Sequence, residues 1–161
     1  MAFESITDSK IEELILCEKR VINPGIKSKI KAEHEQYNYD AISLDTNKYK
    51  FMIYKRQNKR EGMEDDFSCG IIWIAPSGEM LTLKRYNGPN HKHKNHLEND
   101  SLTDGAHVHI ATERYIRANK KAEGFAEKTS CYITVEGALH CLVKACNVKN
   151  IQTTPDESRL F

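Results

Sequence analysis

The chain opens on a helical pattern. Ser9-Lys10-Ile11-Glu12 has the S-x-x-E form of a capping box, and Ile11, Leu14, Ile15, Glu18 and Ile22 follow at helical spacing. This predicts an amphipathic helix over about residues 7–22, stopped by Asn23-Pro24-Gly25. Residues 26–36 carry no clear period. Ile26 and Ile30 lie four apart among lysines, which fits a short second helix or a loop.

The middle of the chain reads as strands. Tyr39, Ala41 and Leu44 lead to the turn-prone Asp45-Thr46-Asn47 and then to Tyr49 through Tyr54. Cys69 to Ala75 is apolar on both faces and predicts a central strand; Pro76-Ser77-Gly78 predicts a turn. Glu79 to Tyr86 then returns with Leu81 and Leu83 toward the core, completing a hairpin. Residues 87–105 read as a long polar loop, a feature often tied to function. Ala106 to Thr112 is a short strand, Glu113 to Lys128 a charged helical stretch, and Ala138, Leu139, Leu142, Val143 and Cys146 mark a second amphipathic helix. The pattern predicts one α+β domain over residues 1–161, with 151–161 a frayed tail. Its expected core is an antiparallel sheet of four to five strands with an N-terminal and a C-terminal helix packed on one face.

Composition narrows the setting. Apolar residues make up 39% of the chain and charged residues 29%, with a net charge of +1, a globular rather than disordered balance. No apolar run approaches the roughly 20 residues that cross a bilayer, and Met1-Ala2-Phe3-Glu4-Ser5 has neither the basic start nor the apolar stretch of a signal peptide. The expectation is a cytoplasmic protein with no membrane partner. Cys17, Cys69, Cys131, Cys141 and Cys146 are odd in number, unevenly spaced and without a C-x-x-C pair, so they read as free, buried thiols.

The near-neutral total hides two basic segments. Lys48 to Arg60 holds six cations and no acid, and Leu81 to His96 holds Lys84, Arg85, Lys92 and Lys94 with three histidines and no acid. Such runs are most often solvated faces, yet two of them suggest an anionic partner. In the first, alternation puts Lys48, Lys50, Met52, Tyr54 and Arg56 on one face. In the second, Thr82, Lys84 and Tyr86 oppose Leu81 and Leu83. Cations interleaved with tyrosines suit phosphates and bases, and they also suit an ordinary solvated sheet face.

Five of the seven histidines fall between His91 and His109. On a strand, His107, His109 and, if it extends that far, Glu113 share one face, while Val108 and Ile110 share the other, expected to be the core side. Three readings stand open. His93, His107, His109 and Glu113 could ligate a zinc-like divalent metal, or no metal at all is bound. His93, His107 and His109 could do acid–base chemistry, with Lys84, Arg85 and Lys92 holding phosphate. Or the histidines could be structural, tying the long loop to the sheet. No P-loop, Rossmann fingerprint, G-x-S-x-G or H-E-x-x-H occurs.

Arg85-Tyr86-Asn87-Gly88, His93-Lys94-Asn95 and His107-Val108-His109-Ile110 together resemble a small bacterial domain of unknown function, frequent in prophages and mobile islands. Its members show a strand ending in Asn-Gly, an H-x-N step, a variable loop and an H-[IV]-H strand. The resemblance runs from the first helix to the Cys141–Cys146 helix; where members continue H-x-N with Pro-Asp-Gly, this chain has His96-Leu97-Glu98 and a longer loop. It implies a mobile-element setting, in which small proteins act as toxins, nucleases or inhibitors of host defence. The expected function is a nucleic-acid-directed, ribonuclease-like phosphodiesterase using the histidine cluster. The alternative is a non-catalytic binding protein, a host-defence inhibitor or toxin–antitoxin partner that engages a host protein, with structural histidines.

Overall fold

The computed structural model describes residues 3–156. Eleven strands and three short helices follow in the order α1 (Asp8–Leu16), β1 (Lys19–Val21), β2 (Lys29–Lys31), β3 (His34–Ser43), β4 (Lys50–Asn58), β5 (Phe67–Ile74), β6 (Met80–Asn87), β7 (His93–Asn95), β8 (Asp100–Leu102), β9 (His107–Ile110), α2 (Glu113–Arg117), β10 (Phe125–Lys128), α3 (Val135–Ala145) and β11 (Val148–Lys149). Nine strands form one sheet in the order β10-β9-β6-β5-β4-β3-β1-β11, with β2 also pairing β3; β7 and β8 form a separate ribbon. Among the described residues only β1 and β11 pair in parallel. The expected α+β domain of four to five strands is therefore corrected to a mostly-sheet architecture with a large mixed sheet.

The departures begin at the N-terminal helix. The predicted helix over 7–22 stops at Leu16, and its cap is Thr7, whose side chain accepts from the Lys10 N–H. Residues 19–21 are instead recruited as a strand between β3 and β11. Lys19 is wholly buried there. Its ammonium donates to the carbonyls of Ile15, Cys17 and Cys146 at 2.8, 2.7 and 2.9 Å, satisfying carbonyls that the ends of α1 and α3 leave without helical partners. The ambiguous 26–36 stretch becomes β2 and the start of β3, and of the charged 113–128 stretch only α2 is helical.

The hairpin β5–β6 forms where the sequence placed it, but with an interruption. Ile71 pairs with Lys84 and Ile72 with Thr82, leaving Leu83 as an extra residue. A bulge of this kind shifts the alternation by one. Beyond it Tyr86 is buried and packs against Tyr132 at 5.9 Å between ring centroids. Arg85 and Asn87 consequently take the opposite face.

One face of the sheet carries Phe51, Ile53, Phe67, Cys69, Ile71, Leu81 and Tyr86, which form the core with Ile11 and Leu14 of α1 and Leu139 and Leu142 of α3. The tail expected to fray is fastened as far as it is described: Asn150 donates to the Val21 carbonyl, and Asp156 accepts from the backbone and hydroxyl of Thr134 at the start of α3. Residues 157–161 lie outside the described residues. The cysteines are free, but only Cys69 and Cys146 are buried; Cys131 is exposed. Among the described residues no helix is long and apolar enough to cross a membrane.

Candidate functional site

The three expected histidines do come together. Ring centroids are 4.5 Å apart for His93 and His109, 5.1 Å for His107 and His109, and 6.0 Å for His93 and His107. Their exposure is the reverse of the expectation, however. His107 and His109 are 1% and 2% exposed, whereas Val108 and Ile110 are half-buried. The β7–β8 ribbon roofs this end of the sheet. Asn95 fastens it to β10, and His93 Nε2 donates to the Gly124 carbonyl at 2.6 Å. His109 Nδ1 donates to the Glu123 carbonyl at 2.9 Å.

These contacts decide what the cluster can do. Burial, then the neighbouring Arg85 charge, push the His109 imidazole down to about 3, so it is neutral across physiological pH. Burial lowers His107 as well; the Gly105 backbone opposes that shift from outside hydrogen-bonding geometry, and neither His107 ring nitrogen has a hydrogen-bond partner among the described residues. A ring held neutral is a poor general acid near pH 7. Among the described residues no group of three or more His, Cys, Asp or Glu side chains is arranged to hold a metal ion. Glu113 is elsewhere, accepting from the Asp8 N–H and pairing with Arg117. The cluster is a packed set of rings in which His93 and His109 have backbone partners and His107 has none among the described residues.

The expected phosphate clamp divides. Arg85 stays on the open face, Lys84 is turned by the bulge to lie 5.2 Å over the Tyr86 ring, and Lys92 is an exposed loop residue.

What the open face does build is a cleft of about 880 Å³. Its lining includes Lys29 and Lys31 from β2, Arg56 from β4, Arg85 from β6, Lys121, and the imidazoles of His34 and His91, with no Asp or Glu. Arg85 is shared with the buried Glu123 at 3.4 Å. Among the described residues Lys29, Lys31, Arg56 and Lys121 have no carboxylate partner. Tyr54 forms part of the floor: it is the cross-strand neighbour of Gly70, where an added Cβ would stand 2.5 Å from the tyrosine ring.

Sequence reasoning found Met52, Tyr54 and Arg56 on this face but missed Lys29, Lys31, His34 and Lys121. The lysines of 26–36 were visible as a charge cluster, yet only the pairing of β2 with β3 turns them toward the cleft. His34 and Asp66 gave no motif at all. At the rim, the Asp66 carboxylate meets His91 Nε2 at 3.1 Å and His34 Nε2 at 3.4 Å and accepts from Asn58 Nδ2 at 3.1 Å.

Comparison with protein-family models, with curated proteins and with solved structures gives no match.

Proposed function

We propose that the protein binds a single-stranded nucleic acid, RNA in preference, along the open face of its sheet. The observation that carries this is the cation-rich cleft without a lining carboxylate. Unpaired cations on a concave wall attract a polyanion, and a tyrosine in the floor offers a stacking surface that tolerates any base. Single strands suit the geometry because splayed bases reach a sheet surface that duplex grooves do not. The hydrogen bonds from His93 and His109 to backbone carbonyls support a structural role for the histidine cluster within this reading.

The test is fluorescence anisotropy with a labelled single-stranded RNA of mixed sequence, titrated at several salt concentrations. A log–log salt slope of about −2 to −3 is expected from three or four phosphate contacts. Arg56→Ala and Lys31→Ala should each reduce that slope by about 0.7 and weaken binding. Affinity that is indifferent to salt, or unchanged in both variants, would remove the cleft as the interface.

A further inference from the structure

The rim of the cleft holds an arrangement that simple strand binding does not require. His34 and His91 come from β3 and from the loop before β7, yet both meet one carboxylate, Asp66, through their Nε2 atoms at 3.4 and 3.1 Å. Unlike the buried histidine cluster, these side chains are 23% and 39% exposed, and both line the cleft. Asp66 is itself anchored by the buried Asn58, whose Nδ2 donates at 3.1 Å and whose N–H donates to the Asp66 carbonyl at 2.9 Å. Burial would raise the Asp66 carboxyl, but the hydrogen bonds from Asn58 and His34 and the charges of His91 and His34 hold it below its ordinary value.

The two rings are not equivalent. His34 Nδ1 stands 3.3 Å from the Ala32 carbonyl, while its Nε2 is the nitrogen turned to Asp66. His91 meets Asp66 through Nε2, and its Nδ1 has no hydrogen-bond partner among the described residues. Two imidazoles held by one carboxylate are a set that can take a proton and give one, beside cations suited to a phosphate.

We propose that His34 and His91 are an acid–base pair that cleaves the RNA strand bound in the cleft, with Asp66 as their positioning residue. His91 Nδ1 takes the proton of a ribose 2′-hydroxyl; that oxygen attacks the adjacent phosphorus, the bond from phosphorus to the 5′-oxygen breaks, and His34, protonated from solvent, gives up its 3.3 Å contact with the Ala32 carbonyl and passes its Nδ1 proton to the leaving oxygen. The products are a 2′,3′-cyclic phosphate end and a 5′-hydroxyl end. No water, oxidant or metal is consumed, and exchange with solvent restores both rings. Arg85 and Lys121 stabilise the extra charge on the phosphate oxygens as it forms. This rests on the strand-binding reading of the cleft, and the experiment separates the two.

Single-turnover cleavage of a 5′-labelled mixed-sequence RNA is measured in excess EDTA, with binding followed in parallel on the all-2′-deoxy oligonucleotide, which cannot react. The wild type should yield fragments ending in cyclic phosphate. His34→Gln and His91→Gln should each slow the reaction by about 100-fold or more, far beyond any change in the dissociation constant of the deoxy strand measured on the same variants. Asp66→Asn should lower the rate while leaving that dissociation constant alone. Binding by the wild type without cleavage, cleavage abolished by EDTA, or cleavage untouched in both histidine variants would overturn the acid–base pair and leave strand binding standing. Absence of binding to RNA and to the deoxy strand would overturn both.

Discussion

The side chain of Asn95 behaves toward Ala126 as a strand would. Its Nδ2 donates to the Ala126 carbonyl and its Oδ1 accepts from the Ala126 N–H, both at 2.8 Å. Strand β10 is an edge, with β9 on one side only, so Ala126 would otherwise present two backbone groups without partners beneath the β7–β8 ribbon. Asn95→Ala should therefore destabilise the protein by about 2–3 kcal/mol, since a buried donor and acceptor are left unsatisfied together. Urea denaturation measures it, and a cost under about 0.5 kcal/mol would mean that the ribbon is not held by this pair.

His107 and His109 share a strand and a face but should respond oppositely to substitution. His109 donates to a backbone carbonyl, whereas the two ring nitrogens of His107 are buried without partners. His109→Leu orphans the Glu123 carbonyl and should cost about 1–3 kcal/mol. His107→Leu removes polar atoms that gain nothing from burial, so it should be neutral or stabilising by about 1 kcal/mol. Chemical denaturation of both variants compares them directly; equal losses would show that ring shape, not hydrogen bonding, governs the cluster.

The depressed His109 imidazole makes stability depend on pH. Between its folded value of about 3 and its ordinary value of 6.5, the unfolded chain binds a proton that the native protein refuses. Its contribution is therefore complete above about pH 6.5 and is lost as pH falls toward 3, at up to about 1.4 kcal/mol per pH unit. Unfolding free energies measured from pH 7 to 5.5 should decline in the wild type and decline less in His109→Leu. Parallel slopes for the two proteins would show that the proton goes elsewhere.

Tyr54 and Gly70 form a second pair open to test. An added Cβ at Gly70 would meet the Tyr54 ring at 2.5–2.6 Å, so Gly70→Ala must push the ring from the floor of the cleft. Tyr54→Ala should weaken single-strand binding by about 1–3 kcal/mol, the range for losing one stacked base, and Gly70→Ala should reproduce part of that loss. Anisotropy titrations decide it: a Tyr54→Ala protein that binds as well as wild type removes stacking from the proposal.

Local chemistry made some elements legible and left others hidden. Pro76-Ser77-Gly78 closes the β5–β6 hairpin, and Thr134 followed by the apolar stripe through Leu142 makes α3, because a turn and an amphipathic helix need only neighbouring residues. Ile22 fell at helical spacing from Leu14 and Glu18, yet three residues of the same stretch, Lys19 to Val21, alternate buried, exposed and buried as a strand. That choice belongs to β3 and β11, far away in sequence.

The candidate site divides along the same line. The sequence by itself determined that His107 and His109 would share one face, because H-x-H on a strand puts two rings on one side; His93 joins them from β7. Only the tertiary structure decided that this face is covered, since the β7–β8 ribbon docks on β10 through Asn95, a contact spanning 31 residues. It also decided which charges share the cleft. The bulge opposite Ile71 reverses the faces of Lys84 and Arg85, and the meeting of His34 with Asp66 and His91 depends on strand pairing that no local pattern encodes. Periodicity assigns a side chain to a face; long-range pairing decides what that face meets.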